Sequence, residues 1–137
     1  MSCMTGDKIF LDSNILIYLL EQDRDRRDLV LGFSNKGYHI STQVISENVN
    51  TCLKKLKMTK EESFEHGDYL FNSFKLNLIT EKTVKLAFNI SIRYKFSYWD
   101  SLILATALEN NCNTLYSEDM QHNQLIDDNL RILNPFL

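Results

Sequence analysis

The sequence predicts a single α/β domain of three layers, with helices on both faces of a central, mostly parallel sheet. Three observations carry this. Short apolar runs alternate with longer helical patterns along the chain, as expected for parallel strands joined by helical crossovers. The length, 137 residues, is that of one domain. No internal repeat, low-complexity stretch or linker interrupts the alternation, so residues 1–137 read as one unit.

Each element has its own signal. Lys8–Leu11 reads as a short buried strand, and Asn14–Leu20 as a helix capped by Asp12 or Ser13. Asp23–Phe33 is a charged helix with one apolar side, and Gly37 breaks the chain before a second strand, Tyr38–Ser41. Gln43–Leu56 is helical because Ile45, Val49, Cys52 and Leu56 recur at steps of four, three and four. Thr59 caps the next helix, Lys60–Phe74, whose first turn carries Glu61 and Glu62 at the positive end of the helix dipole. Leu76–Ile79 is a third strand, Thr80 opens a helix to Tyr94, and Ser97 opens another to Asn110. Thr114–Tyr116 is a fourth strand and Leu130–Leu133 a fifth.

Composition narrows the function. The four glycines (Gly6, Gly32, Gly37, Gly67) are scattered, so no glycine-rich phosphate loop exists and dinucleotide-binding and P-loop chemistry are excluded. A net charge of −3 is not that of a strongly basic nucleic-acid binder, so any such contact rests on local patches. Two are present, Lys54, Lys55, Lys57 and Lys60, and Arg24, Arg26 and Arg27; a solvated helix face is the plainer account of both. Cys3, Cys52 and Cys112 lie far apart, without zinc spacing, and fit reduced thiols. There is no apolar leader, and no apolar run near the ~18 residues of a membrane span. The expectation is a soluble, cytoplasmic protein with no membrane contact.

Four acids then stand out. In open α/β sheets, ligands bind beyond the carboxyl ends of the strands. Asp12 follows the first strand, in IFLDSNILIYLL, and Asp119 follows the fourth, in LYSEDM. Glu47 lies early in the helix after the second strand, and Asp100 in the first turn of the helix opened by Ser97. With parallel strands all four belong to one edge. Each also has a structural reading: Asp12 as a helix cap, Ser97 to Asp100 at capping-box spacing, Asp119 as a turn acid. Glu47 points away from the apolar stripe of its helix on an ideal wheel. Asp100 resists the structural reading best, because it shares a face with Ile103, Leu104, Ala107 and Leu108, and LILATAL is apolar nearly all round. A carboxylate on that side is unfavourable unless paired or bound to a cation.

If the four converge, their charges repel, so one is protonated or a cation sits among them. Carboxylates without histidine or cysteine suit a hard cation, Mg²⁺ or Mn²⁺. Such a cation binds phosphate oxygens and activates water, which is the chemistry of phosphoester hydrolysis.

At these residues the sequence resembles the PIN-domain ribonucleases, in particular the VapC-type toxins of toxin–antitoxin pairs. The resemblance covers nearly the whole chain. Its motifs are FLDSNILIY, with Asp12 and the supporting Asn14; STQVISEN, with Glu47; FSYWDSLILATALENN, with Asp100; and TLYSEDM, with Asp119 flanked by Ser117 and Glu118. Each motif is short, and the specificity lies in four of them in order on the right elements. The resemblance implies a five-stranded parallel sheet between helices, and a Mg²⁺-dependent endonuclease acting on RNA. It also implies a homodimer and a small antitoxin that blocks the site. By the same resemblance Asp12, Asp100 and Asp119 are the core metal ligands, and Glu47 assists in metal binding or water orientation. A bent or frayed helix start would reconcile that role with the wheel.

Smaller features leave alternatives open. Ser117 bonds an acid or the scissile phosphate, or satisfies backbone at a strand end. Glu118 points away or supports a second metal. Asn123 stands after His122 where many relatives carry glycine, and asparagine also tolerates a left-handed turn. His122 itself reads as a surface-turn residue. The helices Gln43–Leu56 and Lys60–Phe74 carry Phe64, Tyr69, Phe71 and Phe74, which serve the core or, as this region does in the family, a dimer or antitoxin surface. The lysines there would rim an RNA groove. Among rivals, a haloacid-dehalogenase-type phosphatase needs a second Asp where Asn14 stands, and a receiver domain needs an Asp after the third strand, where LNLIT has none. A catalytically silent PIN module for RNA or protein, and a standalone RNA-processing nuclease without an antitoxin, remain as alternatives.

Overall fold

The computed structural model describes residues 6–137, so Cys3 lies outside the described residues. Strand β1 (Ile9–Leu11) passes directly into a short helix α1 (Ser13–Leu16) and a 3₁₀ turn (Ile17–Leu20). Then follow α2 (Arg24–Leu31), β2 (His39–Ser41), α3 (Thr42–Lys54), α4 (Lys60–Ser73), β3 (Lys75–Asn77), α5 (Glu81–Tyr94) and α6 (Tyr98–Glu109). The chain closes with β4 (Thr114–Tyr116), β5 (Leu125–Ile126) and β6 (Leu130–Leu133). One sheet runs in the order β3-β2-β1-β4-β6-β5. Every neighbouring pair is parallel except β5 with β6.

The central strands β1 and β2 are buried at every position, whereas the outer β3, β5 and β6 each carry an exposed residue. Phe10, Leu11, Ile40, Leu115 and Ile132 are completely buried. Register places Phe10 beside His39 on one side and Leu115 on the other, with Leu115 in turn beside Ile132. Helix α6 is buried at every position from Ser101 to Ala107, as its uniformly apolar sequence requires. It packs against α5, and α3 packs against α4. The core unites these layers: Val44 from α3, Leu70 from α4, Ala87 and Ile90 from α5, and Ile103 and Leu104 from α6.

The helix starts follow the sequence. Thr59 and Thr80 each complete a capping box, with Glu62 and with Thr83. Ser97 accepts from the Asp100 N–H at 3.1 Å, but the Asp100 carboxylate makes no return bond, so only half of the expected box forms.

The mostly parallel sheet is as expected, with one strand more than the five foreseen. The addition, β5, is two residues long and too short to register as an apolar run. It folds back on β6 through a tight turn in which Asp127 and Asp128 both have positive φ, and the Asn129 N–H donates to Ile126 O at 3.0 Å. Side chains make up for the unfavourable backbone: Arg93 grips Asp127 with two bonds of 2.7 and 3.0 Å, and Tyr94 Oη adds a third at 3.0 Å. Cys52 and Cys112 are buried free thiols, and burial pushes the Cys112 thiol up to about 11, so it stays protonated and inert. Among the described residues no helix is long and apolar enough to cross a membrane.

Candidate active site

The corner after β1 is built around Asp12. Its N–H still belongs to the sheet, donating to Tyr116 O on β4 at 3.0 Å. Its side chain already belongs to α1: Oδ1 accepts from the Ser13 N–H at 2.7 Å. Oδ2 accepts from Ser117 Oγ at 2.9 Å and from Asn14 Nδ2 at 3.4 Å. Only 5 % of Asp12 is exposed. A buried carboxylate held by hydroxyl and amide donors has one fixed orientation.

The partner corner after β4 supplies that hold. Ser117 is fully buried and its N–H donates to Leu133 O, which fixes the residue to β6. Ser117 Oγ gives its proton to Asp12 and accepts from the Asp119 N–H at 3.3 Å, and Asn14 Oδ1 accepts from the Glu118 N–H at 3.2 Å. Asn14 and Ser117 thus lace the two strand ends together. The Glu118 carboxylate is taken up elsewhere, by Arg26 Nη1 and by Tyr18 Oη at 2.8 Å. The Arg26 guanidinium also lies over the Phe136 ring, 4.6 Å from its centroid. Asp119 itself is exposed and lines a small cleft with Ser13, Asn14, Thr51 and Lys55.

Two helices bring the remaining acids. Asp100 is half-buried at the start of α6. Glu47 is half-buried on α3, and its Oε2 accepts from Gln43 Nε2 at 3.2 Å. Helix α3 begins regularly, capped by Ser41, so no bent start is needed. Its buried residues include Gln43, Val44, Ile45, Asn48 and Cys52, a face wider than the apolar stripe alone, and Glu47 stands on the flank of that face. The polar members Gln43 and Asn48 explain why a purely apolar wheel misplaced it.

Charge binds the four together. Burial pushes the Asp12 carboxyl from 3.8 to about 7, against the bonds from Ser117 and the Ser13 N–H, and the charges of Glu47 and Asp100 push the same way. Asp100 is likewise raised, by burial first and then by the charge of Asp119. The pairs Asp12–Glu47, Asp12–Asp100 and Asp100–Asp119 therefore interact through space. Yet among the described residues no three His, Cys, Asp or Glu side chains are gathered into a ready-made metal-binding group. In kind the donors fit a divalent cation: all are oxygen ligands, and the charges of Glu47 and Asp100 oppose ionisation of the buried Asp12. Mg²⁺ keeps several waters and needs only one or two carboxylates, so the open arrangement is compatible with it.

Comparison with known proteins decides the family. The PIN domain model matches residues 9–126, which include all four acids. The chain belongs to the PIN domain family. Among curated proteins a sequence search finds no match. Solved structures similar in fold include a toxin–antitoxin complex from Klebsiella pneumoniae, at TM-score 0.71 and 19% identity, covering 93% of this chain and 98% of that one. A sarcin–ricin loop cleaving VapC toxin of Mycobacterium tuberculosis gives TM-score 0.68 at 13% identity, covering 82% of this chain and 90% of that one. A VapBC complex from Rickettsia felis bound to promoter DNA gives 0.68 at 18%, covering 90% and 96%.

Within this PIN domain, several residues at the edge escaped sequence reading. Gln43 and Trp99 line a cleft with Glu47, and neither has a motif of its own. Lys55 is the one member of the lysine cluster lining the small cleft beside Asp119. Arg26, taken for a solvated charge, is instead the clamp on Glu118. His122 accepts from the Asn134 N–H and stands exposed, a turn residue, while Asn123 adopts the left-handed backbone at φ 73°.

Proposed function

We propose that this PIN chain is a divalent-metal-dependent endoribonuclease of the cytoplasm, the toxin of a toxin–antitoxin pair. The observation that carries the reading is the Asp12–Ser117–Asn14 lacing at the sheet edge, with Asp100, Asp119 and Glu47 in electrostatic reach of it. Asp12, Asp100 and Asp119 would hold Mg²⁺ or Mn²⁺, with Glu47 assisting. When bound, the cation supplies a Lewis acid for a phosphate oxygen and lowers the pKa of water. The chain's own residues do the positioning. Ser117 and Asn14 keep Asp12 in one orientation, Glu47 would accept a proton from the attacking water, and Lys55, lining the cleft beside Asp119, would meet a phosphate. Glu118, held by Arg26 and Tyr18, is assigned to the scaffold rather than to a second metal.

The partners follow the same reading. The similar solved structures include a toxin–antitoxin complex, a sarcin–ricin loop cleaving toxin and a VapBC complex on promoter DNA, which supports an antitoxin and an RNA substrate here. A groove with an apolar floor of Leu19, Leu20, Leu31, Met58 and Tyr69, and with Glu62, Glu65 and His66 also lining it, suits an antitoxin segment. Phe88 and Ile92, exposed four residues apart on α5, suit a homodimer. Because β6 pairs with β4 beyond the end of the matched region, residues 1–137 are taken as one domain. A catalytically silent RNA-binding module is the second reading, favoured by the absence of a ready-made metal group among the described residues.

The test is incubation of antitoxin-free protein with a structured RNA mixture in Mg²⁺, Mn²⁺ or EDTA, beside Asp100→Asn and Asp119→Asn. Metal-dependent cleavage by the parent alone is expected. RNA binding without cleavage in any metal would favour the silent module.

A further inference from the structure

The cleft beside Glu47 has features that the acids do not use. It is an open cleft of about 500 Å³, within the range of roughly 300–1,000 Å³ typical of ligand sites. Its walls are α3, with Gln43, Ser46 and Glu47, and α6, with Trp99 and Leu102. Trp99 is the single tryptophan of the chain and is 61% exposed. Tyr98 packs edge-on against it, at 5.0 Å between centroids, and so orients the indole. An aromatic of this size left in water at the wall of a largely apolar cleft is a platform lacking a partner.

Gln43 gives the cleft a second, independent mark. Only 8% of it is exposed. Its Nε2 donates to Glu47 Oε2 at 3.2 Å and to Trp99 O at 3.1 Å. Two acceptors around the nitrogen settle which end of the amide is which. Oε1 is then a buried acceptor without a donor, the only buried side-chain atom among the described residues left so. Native structures rarely leave such an atom unbonded without a reason.

We propose that this cleft receives one unstacked nucleobase of the RNA substrate, stacked on the Trp99 indole and donating an N–H to Gln43 Oε1, which a small rotation of the Gln43 side chain brings to the cleft surface. The inference rests on the ribonuclease reading and adds to it the choice of base beside the cut. A nucleobase is the part of RNA that combines a π face with N–H donors on its edge. The cleft shares Glu47 with the acid edge, and Trp99 immediately precedes Asp100, so a base held there is a near neighbour of the scissile phosphate. Gln43 Oε1 and the Glu47 carboxylate are both acceptors. They select bases bearing an amino group, adenine, cytosine and guanine, over uracil, whose pairing edge offers two carbonyls and a single N–H.

Trp99 is its own reporter. The full chain, with Ca²⁺ in place of Mg²⁺ to slow turnover, is titrated with single-stranded oligo(A), (C), (G) and (U). Indole fluorescence is read beside the anisotropy of an end-labelled RNA. Saturable quenching is expected, with the best amino-bearing base bound at least about five-fold tighter than uracil. Gln43→Leu flattens that preference. Trp99→Ala weakens binding roughly five- to hundred-fold, and Trp99→Phe restores part of it. RNA binding without quenching, or an unchanged base preference in folded Gln43→Leu, overturns the base cleft. If the parent still cleaves RNA with Mg²⁺, the nuclease reading survives that result. Absence of both binding and cleavage overturns the two together.

Discussion

The two sides of the sheet edge are finished to different degrees. On the strand side, Asp12, Asn14 and Ser117 satisfy one another through bonds of 2.9–3.4 Å, and two of the three are buried. On the helix side, Gln43 has an orphaned acceptor, Trp99 lies in water, and the Asp100 carboxylate declines the capping bond its spacing allows. The difference teaches which half is scaffold and which awaits a ligand. A hydrogen-bonded network at the ends of two adjacent strands holds its geometry without help, whereas groups on two helices separated by a cleft are left for something else to complete.

The largest expected effect breaks the helix side. Partners that merely orient a metal ligand are worth roughly 10–100-fold, so loss of the ligand in Asp100→Asn should lower RNA cleavage by more than about 100-fold. A rate series with parent, variant and EDTA checks it, and an active Asp100→Asn would remove that residue from the chemistry.

Ser117→Ala breaks the strand side. It removes a bond to Asp12 that opposes protonation, so the Asp12 carboxyl rises further. Cleavage should fall roughly 10–100-fold, and the acid limb of its pH profile should move to higher pH. Those two readouts together separate positioning from simple loss of stability.

Asp12→Asn sharpens the comparison through stability rather than rate. The folded chain keeps the Asp12 proton up to about pH 7, while the unfolded chain releases it near 3.8. Between these values the folded state binds more protons, so the parent loses stability as pH rises through the window. In EDTA, melting curves should show the Asn variant gaining on the parent from about pH 4 to about pH 7, and no further above it. Mg²⁺ at pH 8 should recover stability in the parent and much less in the variant.

The smallest effect belongs to Gln43→Leu. It deletes two hydrogen bonds but also an unsatisfied buried acceptor, terms of similar size and opposite sign. The net change in unfolding free energy should stay within about 1 kcal/mol. A loss several-fold larger in denaturant titration would show that the helix side is as structurally finished as the strand side.

How much of this was legible in the sequence depends on the kind of signal. β1 to β4 and their helices announced themselves because buried strands are continuous apolar runs and amphipathic helices repeat near 3.6 residues. The caps at Thr59, Thr80 and Ser97 were readable because capping is local. β5 was not, because its two residues are held by Arg93 and Tyr94 from a distant helix. The acids Asp12, Glu47, Asp100 and Asp119 were picked out by position and motif, whereas the pairwise influence of Glu47 and Asp100 on Asp12, and of Asp119 on Asp100, exists only in the folded chain.

Sequence by itself determined the order of the helices and of every strand but β5, the PIN motifs and the set of carboxylates, since each is written in spacing along the chain. Only the tertiary structure decided what each side chain faces. It gave Glu118 to Arg26, set Asp12 under Ser117 in a dry corner, placed Glu47 on the flank of α3, and left Gln43 Oε1 without a donor beside Trp99. The physical reason is range. Periodicity and capping act over a few residues, whereas desolvation and hydrogen bonding across 56 to 105 positions exist only once the sheet has brought those segments together.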